Sequence, residues 1–322
     1  MNKFIVITSI SQPTRAVLNF SKISDWKLIV VGDKKTPKQW SLKNVIYISP
    51  KKQEKIEKDF SKILPWNHYS RKMIGYLYAI RKGADTVVDT DDDNLPMKDW
   101  GKNIKFQGNY ETVGNSSFVN VYQFFTDQKI WPRGYPLQKI LIKNHINIKK
   151  QKVKIGVWQQ LVNGDSDVDA IYRLTNNKKV KFKSRKPIIL KKGSICPFNS
   201  QNTFFRKELF PLLYLPAFVT FRFTDILRGL IAQPIMWAAG YSLGFTKATV
   251  FQERNPHNYL KDFESEIPMY LNTERIMEIL NKVIKKDSTI KKNLEIAYDS
   301  LIKEKIIPSK EKKLLIEWLK NF

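Results

Sequence analysis

Short apolar and β-branched runs punctuate the first hundred positions: Phe4–Ile7, Lys27–Val31, Val45–Ile48 and Thr86–Asp89. Each has the length of a strand and is bounded by polar sequence, and several are separated by helix-length segments. Lys51 to Leu64 reads as a charged amphipathic helix that Pro65 can stop. Ser70 to Arg81 forms a second helical stretch, with Gly83 in the usual position after its end. Strand and helix in alternation predict an α/β fold built on a mostly parallel sheet. From about Gly101 to Lys192 the pattern is mixed and strand-rich, and Phe204 to Phe245 is the most apolar region. Helical periodicity returns from Thr273 to Phe322, with Pro308 and Ser309 between two helices. The simplest division is one large domain over residues 1–270 and a helical C-terminal appendage over residues 271–322.

Composition narrows the class. Hydrophobic residues make up 42% of the 322 positions, enough for a real core, so disorder is excluded as the main state. The 56 Lys and Arg against 30 Asp and Glu give a formal charge of +26. Such a surface attracts phosphates, nucleic acid or anionic lipid, and charge alone does not choose among them. Eight of the basic residues fall between Lys178 and Lys192, in either a solvated hairpin or an anion-facing edge. Cys196 is the single cysteine, which excludes a disulfide framework and fits a reducing compartment. Met1-Asn2-Lys3 runs straight into the first strand without a signal-peptide core, so a cytoplasmic location is expected. Gly229 to Thr246 is uncharged and about as long as a bilayer is thick. Gln233, Pro234, Ser242 and three glycines make it read as buried core instead.

In open α/β sheets ligands sit beyond the carboxyl ends of the strands. Thr8, Ser9, Gln12 and Arg15 lie there, then Asp33 and Lys34, then Asp91, Asp92, Asp93 and Asn94. With Asp89, four carboxylates fall within five residues. A divalent cation relieves their repulsion, and magnesium or manganese is commonly held by one or two carboxylates plus substrate phosphates. The competing reading is an acidic cap on a helix starting near Leu95-Pro96. A second acidic island, Asn163 to Asp169, begins like a calcium loop, but Asn176 stands where the bidentate Glu is needed. A loop binding sugar hydroxyls through Asp165 and Asp167, or a helix cap, remains. Trp131-Pro132-Arg133-Gly134-Tyr135-Pro136 frames one arginine stiffly, as a phosphate fork or as a structural turn. Asp225, at the start of an apolar helix, is either a helix cap or a general base, and His257, in a polar loop, is a candidate third metal ligand.

The block from Asn67 through Arg71 and Tyr76 to Asp92, then Trp131 to Leu137, Asp165 to Tyr172, Pro197 to Thr203, Asp225 to Gly229 and Glu253 to His257 resembles the STELLO family of glycosyltransferases, in order across about residues 5 to 270. The resemblance implies a GT-A-like, Rossmann-like fold with a nucleotide-sugar-binding sheet. It implies a nucleotide-binding part in residues 1–100 and an acceptor and sugar part in residues 101–270. It also implies an Mn²⁺ or Mg²⁺ ion on Asp91 and Asp93, with His257 as a further ligand. Thr8, Ser9, Arg15, Asp33, Arg71, Asp91, Asp92, Asp165, Asp167 and Asn202 would bind the donor, with Arg133 and Asp225 catalytic. The acceptor would be a glycan or a lipid-linked sugar, in surface polysaccharide or lipopolysaccharide synthesis. The charge of +26, by itself, would also suit peripheral docking on an anionic membrane face. A fainter likeness to the reversibly glycosylated polypeptides and UDP-arabinopyranose mutases rests on Asp91 to Asp93, Arg133 to Pro136 and Asp225. That family's second arginine is Ile140 here, which counts against a mutase. A nucleic-acid-binding protein would explain the +26 but leaves the acidic run unexplained, so nucleic acid is not the expected partner.

Overall fold

The computed structural model describes residues 1–102, 104–114, 117–142, 148–176, 178–253 and 258–322. The first part of the chain gives β1 (Lys3–Ser9), α1 (Arg15–Phe20), β2 (Lys27–Gly32), β3 (Val45–Ile48), α2 (Pro50–Ile56), α3 (Lys58–Ile63), α4 (Lys72–Arg81) and β4 (Thr86–Thr90). β5 (Asn94–Pro96), β6 (Gln107–Val113), β7 (Lys149–Gly164), α5 (Ala170–Thr175), β8 (Ile188–Leu190) and β9 (Asn202–Arg206) follow. α6 (Thr224–Ala238), β10 (Ser242–Gln252), α7 (Tyr259–Val283), α8 (Ile290–Lys303) and α9 (Glu311–Leu319) complete it.

The described strands join in one sheet of order β3-β2-β1-β4-β9-β7-β6-β8-β10-β5, with β7 also paired to β10. β1 runs parallel to β2 and β4, and β2 parallel to β3. β9 is antiparallel to both β4 and β7, which returns β7 to the direction of β4, and β10 runs parallel to β7. β1, β2, β3, β4, β7 and β10 therefore all point the same way, so the sheet is mostly parallel. Alternate residues of the central strands feed opposite cores: Phe4, Val6, Ile29 and Val87 on one face, Ile5, Ile7, Leu28 and Val88 on the other. Burial on both faces is what a parallel sheet requires, and it explains the continuous apolar runs. Parallel strands at the amino end, mixed pairing beyond residue 101 and C-terminal helices make up the expected GT-A-like α/β arrangement.

Three local differences from the sequence pattern have visible causes. The helix expected over Lys51 to Leu64 is two helices, because the backbone leaves the helical region at Glu57 (φ −133°, ψ 63°) and the Glu57 carboxylate pairs with Arg81 at 2.6 Å. Asn94–Pro96 is strand paired to β10, so no helix begins there for the acidic run to cap. The stretch from Lys178 to Lys192 makes no hairpin. Val180 and Phe182 point inward between exposed lysines, and the chain then enters β8.

The uncharged run is shared between α6, which is buried along nearly its whole length, and β10. Among the described residues no helix is long and apolar enough to cross a membrane. The expected boundary at residue 270 falls inside α7. The C-terminal helices add Tyr298, Leu314 and Trp318 to the same core that β1 and α6 enter. Glu311 at the start of α9 is buried and accepts from Tyr214 Oη, Ala217 N and Phe218 N, so the helical part is built into the domain.

Candidate functional site

A cleft of about 360 Å³ opens along the carboxyl edge of the parallel strands. Ser9 ends β1, Thr90 ends β4, Gly164 ends β7 and Gln252 ends β10, and the residues at or just beyond those ends line the cleft. Thr8, Ser9, Asp33, Asp91, Asp92, Asp93, Arg133, Asp165, Asp167 and Asp225, all expected from the sequence, converge there. Gly164 makes the turn out of β7 with φ +87°, a backbone that L side chains avoid, and a Cβ there would meet Gln252 O at 2.5 Å.

The acidic run is held in place by cations that β4 and its covering helices bring up from below. Asp89 is fully buried between Lys72 Nζ (2.8 Å) and Arg228 Nη1 (2.6 Å). Lys72 Nζ also donates to Thr90 O and to Asp91 Oδ1, each at 2.9 Å. Ser9 Oγ donates to Asp92 Oδ2 at 2.5 Å, and Gln252 Nε2 to Asp93 Oδ2 at 3.0 Å. Among the described residues, Lys72 and Arg228 are the cations that lie against these four carboxylates. Burial raises the Asp91 carboxyl by more than Lys72 lowers it, and Asp93 and Asp89 raise it further, so it is pushed up to about 7. Lys72 stays firmly charged, because Asp89 and Asp91 outweigh the cost of its burial.

Opposite the acidic run, Arg133 closes its fork on two carboxylates. Its Nε and Nη2 donate to Asp167 at 2.7 and 2.9 Å, and Nη2 lies 3.0 Å from both oxygens of Asp225. Nη1 donates to Arg222 O. Gly134 (φ +86°) lets the chain turn against α6, where a Cβ would sit 2.4 Å from Ile226. Asp225 also accepts from Ser200 N at 3.1 Å, Ser200 Oγ at 3.2 Å and its neighbour Ile226 N at 3.0 Å. Burial alone would raise its carboxyl, but Arg133, Arg228 and Arg222 hold it below the ordinary value. A carboxylate so depressed and so fully engaged is a poor general base, and a guanidinium so paired does not offer its fork to a phosphate. The geometry makes this pair a brace between the loop at Asp167 and the start of α6.

Other expected residues sit elsewhere. Arg71 is buried behind the wall, donating to Gln53 Oε1, Ser61 Oγ and Leu64 O and stacked 3.4 Å over Trp66. Asn202 is buried within β9, with Trp100 Nε1 on its carbonyl and Thr249 Oγ1 accepting from its amide. Arg15 is exposed on α1 and does not line the cleft. In the second acidic island the cap is Asp169, which accepts from Tyr172 N at the start of α5. His257 lies outside the described residues.

The sequence reading gave no role to Lys72, Arg228, Arg222 or the aromatic wall of His68, Tyr69 and Phe221. His68 and Tyr69 stack with ring centres 5.2 Å apart, and Phe221 meets Tyr69 edge-on at 4.7 Å. One signal was available: Asp225 and Arg228 are the sole charges in α6, and a charge in an otherwise apolar buried helix needs a partner.

The residues present fit a magnesium-like ion of few protein ligands. Among the described residues no three His, Cys, Asp or Glu side chains form a ready cage. Asp91 and Asp93 nevertheless lie together in the cleft, at the end of β4.

The fold is the expected α/β one, a mostly parallel sheet with an acidic loop beyond β4 that faces a cleft along its carboxyl edge. Residues 222–322 match the model of the STELLO glycosyltransferases. Over 303 aligned positions the chain is 29% identical to "Probable glycosyltransferase STELLO2" of Arabidopsis thaliana, covering 86% of this chain and 39% of that one. "Probable glycosyltransferase STELLO1" of the same plant is 29% identical over 303 positions, with 86% and 38% covered. The resemblance read from the motifs is thus borne out, and the family model carries it through the C-terminal helices. The chain spans about two fifths of the length of these relatives. Among solved structures, "Crystal Structure of a Mycobacterial Protein" aligns with TM-score 0.43 at 9% identity, over 85% of this chain and 73% of that one. Glucosyl-3-phosphoglycerate synthase from Mycobacterium tuberculosis, in complex with phosphoglyceric acid, aligns with TM-score 0.38 at 10% identity, over 84% and 79%.

Proposed function

We propose that the chain is a divalent-metal-dependent glycosyltransferase that moves a sugar from a nucleotide-diphosphate sugar to a glycan or lipid-linked acceptor. The observation that carries this reading is the charge of the cleft. Among the described residues, Asp33, Asp91, Asp92, Asp93, Asp165, Asp167 and Asp225 line it against Lys35, Arg133 and Arg222, with Lys72 paired to Asp91 and Arg173 to Asp165, seven acids to five bases in a chain of +26. An anionic diphosphate enters such a cleft only with a cation, whereas hydroxyl groups of a sugar are well met by carboxylates. A nucleic acid finds the opposite of what it needs at this site.

Asp91 and Asp93 would hold Mn²⁺ or Mg²⁺, which supplies charge stabilisation to the departing nucleotide diphosphate. Thr8, Ser9 and Asp33, which line the cleft at the ends of β1 and β2, would meet the nucleoside, and Ser9 also donates to the Asp92 carboxylate. Asp165 and Asp167 present oxygens to sugar hydroxyls, with Arg133 and Asp225 as positioning residues. His68, Tyr69 and Phe221 offer flat faces on which a sugar ring can stack. The nucleotide-sugar mutase reading is separable, since a mutase forms product without any acceptor.

The test of this reading is turnover of a nucleotide-sugar panel with acceptor in Mn²⁺ and in EDTA. Loss of turnover in EDTA and in folded Asp91→Asn supports it. Full activity of folded Asp91→Asn removes the metal assignment.

A further inference from the structure

Two glutamines in the cleft wall, Gln201 and Gln252, carry no charge yet touch both acidic loops of the site. Gln252 ends β10, where the sheet sets it beside Asn94 of β5 and Gly164 of β7. Its Nε2 donates to Asp93 Oδ2 at 3.0 Å, and its main-chain carbonyl accepts from Asp165 N at 3.2 Å. Gln201 stands just before β9. Its Nε2 donates to Gln252 Oε1 and also to Asp165 O, the latter at 3.3 Å. Its main-chain carbonyl accepts from Thr90 Oγ1 at 2.7 Å and from Asn94 Nδ2 at 2.6 Å, the residues on either side of Asp91 to Asp93.

These bonds run in one direction. An ionised carboxylate only accepts, so the Gln252 amide turns its nitrogen to Asp93 and its oxygen away. The nitrogen of Gln201 meets that oxygen and reaches a main-chain carbonyl, Asp165 O, as well. Reversing the Gln252 amide would set oxygen against Asp93, and reversing the Gln201 amide would set oxygen against Asp165 O. Both side chains are almost out of water, with Gln201 8% and Gln252 7% exposed, so a bond lost here is not simply replaced by solvent. A neutral donor also orients a carboxylate without cancelling its charge, whereas Lys72 at Asp91 does both.

We infer that Gln201 and Gln252 are positioning residues for the divalent cation. Gln252 sets the rotation of the Asp93 carboxylate. Gln201 sets Gln252 in turn and ties the acidic run to the loop at Asp165, so its side chain acts on Asp93 through a relay. The inference rests on the metal reading proposed above. Outer partners of this kind commonly govern a ligand's affinity for its metal, and their loss costs about 10–100-fold.

Thermal-shift titrations of the full chain with Mn²⁺, alone and with a mixture of nucleoside diphosphates, test the inference on Gln252→Leu, Gln201→Leu and Gln252→Glu. The melting temperature without metal carries any purely structural loss, and its dependence on Mn²⁺ concentration gives the affinity. Gln252→Leu is expected to lose about tenfold or more in Mn²⁺ affinity, and Gln201→Leu to show a smaller loss. Gln252→Glu keeps the shape but sets a second carboxylate against Asp93. It should melt lower than wild type without Mn²⁺ and gain a larger rise from it. Leucine variants that fold and bind Mn²⁺ as wild type does overturn the inference, as does Gln252→Glu with only the wild-type rise. If the leucine variants do not fold, Gln252→Glu decides. A wild-type chain that responds to Mn²⁺ in neither condition removes the metal reading itself, and this inference with it.

Discussion

Lys72 decides whether the acidic loop can exist in one shape. Its ammonium is wholly buried and touches Asp89, Asp91 and Thr90 O, so Lys72→Met leaves two carboxylates without their shared cation. Breaking a buried pair in this way costs about 3–5 kcal/mol, and a lowered midpoint in urea unfolding is the expected result. Asp225→Asn is expected to lower stability and turnover together, because it loosens Arg133, and to leave the shape of the pH–rate profile unchanged. A lost acidic limb in that profile would instead restore Asp225 as the base. His68 supplies a pH test. Burial pulls its imidazole down to about 4, so the folded state resists a proton that the unfolded chain accepts from about pH 6.5. Stability from this group is present above pH 6.5 and is lost as pH falls toward 4, by about 3 kcal/mol at most. His68→Asn keeps a side chain able to cap Ser70 N and should flatten that part of the stability-versus-pH curve. Asp91 and Asp93 were legible because acids following a buried strand have few structural uses. Lys72 was not, because one lysine among so many carries no local mark until the fold sets it under β4.

At the scale of elements, the strands were readable and the helices less so. β3 has the bounds its apolar run announces, and β1, β2 and β4 extend theirs by one to three residues, because burial on both faces leaves few other places for such runs. The break between α2 and α3 was hidden, since it depends on Arg81 of α4 reaching Glu57 across the fold. What the C-terminal helices pack against was hidden for a related reason. Their amphipathic pattern shows that they bury a face, but not against what. Trp318 packs against Phe60 of α3 and donates to Pro211 O, so a chain ended at residue 270 is expected not to reach the native state. Near-ultraviolet circular dichroism and a melting curve check this; a cooperative melt of the shortened chain would restore the expected boundary. Glu311→Ala should detach α9 locally and cost about 1–3 kcal/mol, through donors left unpaired at Tyr214, Ala217 and Phe218.

Across the whole molecule two opposed charge distributions meet. The surface is strongly basic, while the cleft along the carboxyl edge of the sheet is acidic, and one composition figure cannot display both. Sequence could place Asp33, Asp91 and Asp165 after their strands, yet their convergence with Asp225 needed the strand order that brings the ends of β2, β4 and β7 to a common edge beside the start of α6. The same order separates Arg71 and Asn202 from the cleft although they stand in matching motifs. The proposed anionic donor would enter an acidic cleft, which makes cation dependence the central claim. The most direct measurement is the thermal shift given by a panel of nucleotide-diphosphate sugars, with Mn²⁺ and with EDTA, on the wild-type chain and on Asp91→Asn. A ligand that binds only the folded state raises the melting temperature by mass action. The expected result is a shift for one nucleotide sugar that needs the metal and vanishes in Asp91→Asn. A shift of equal size in EDTA, or one retained by Asp91→Asn, would contradict it.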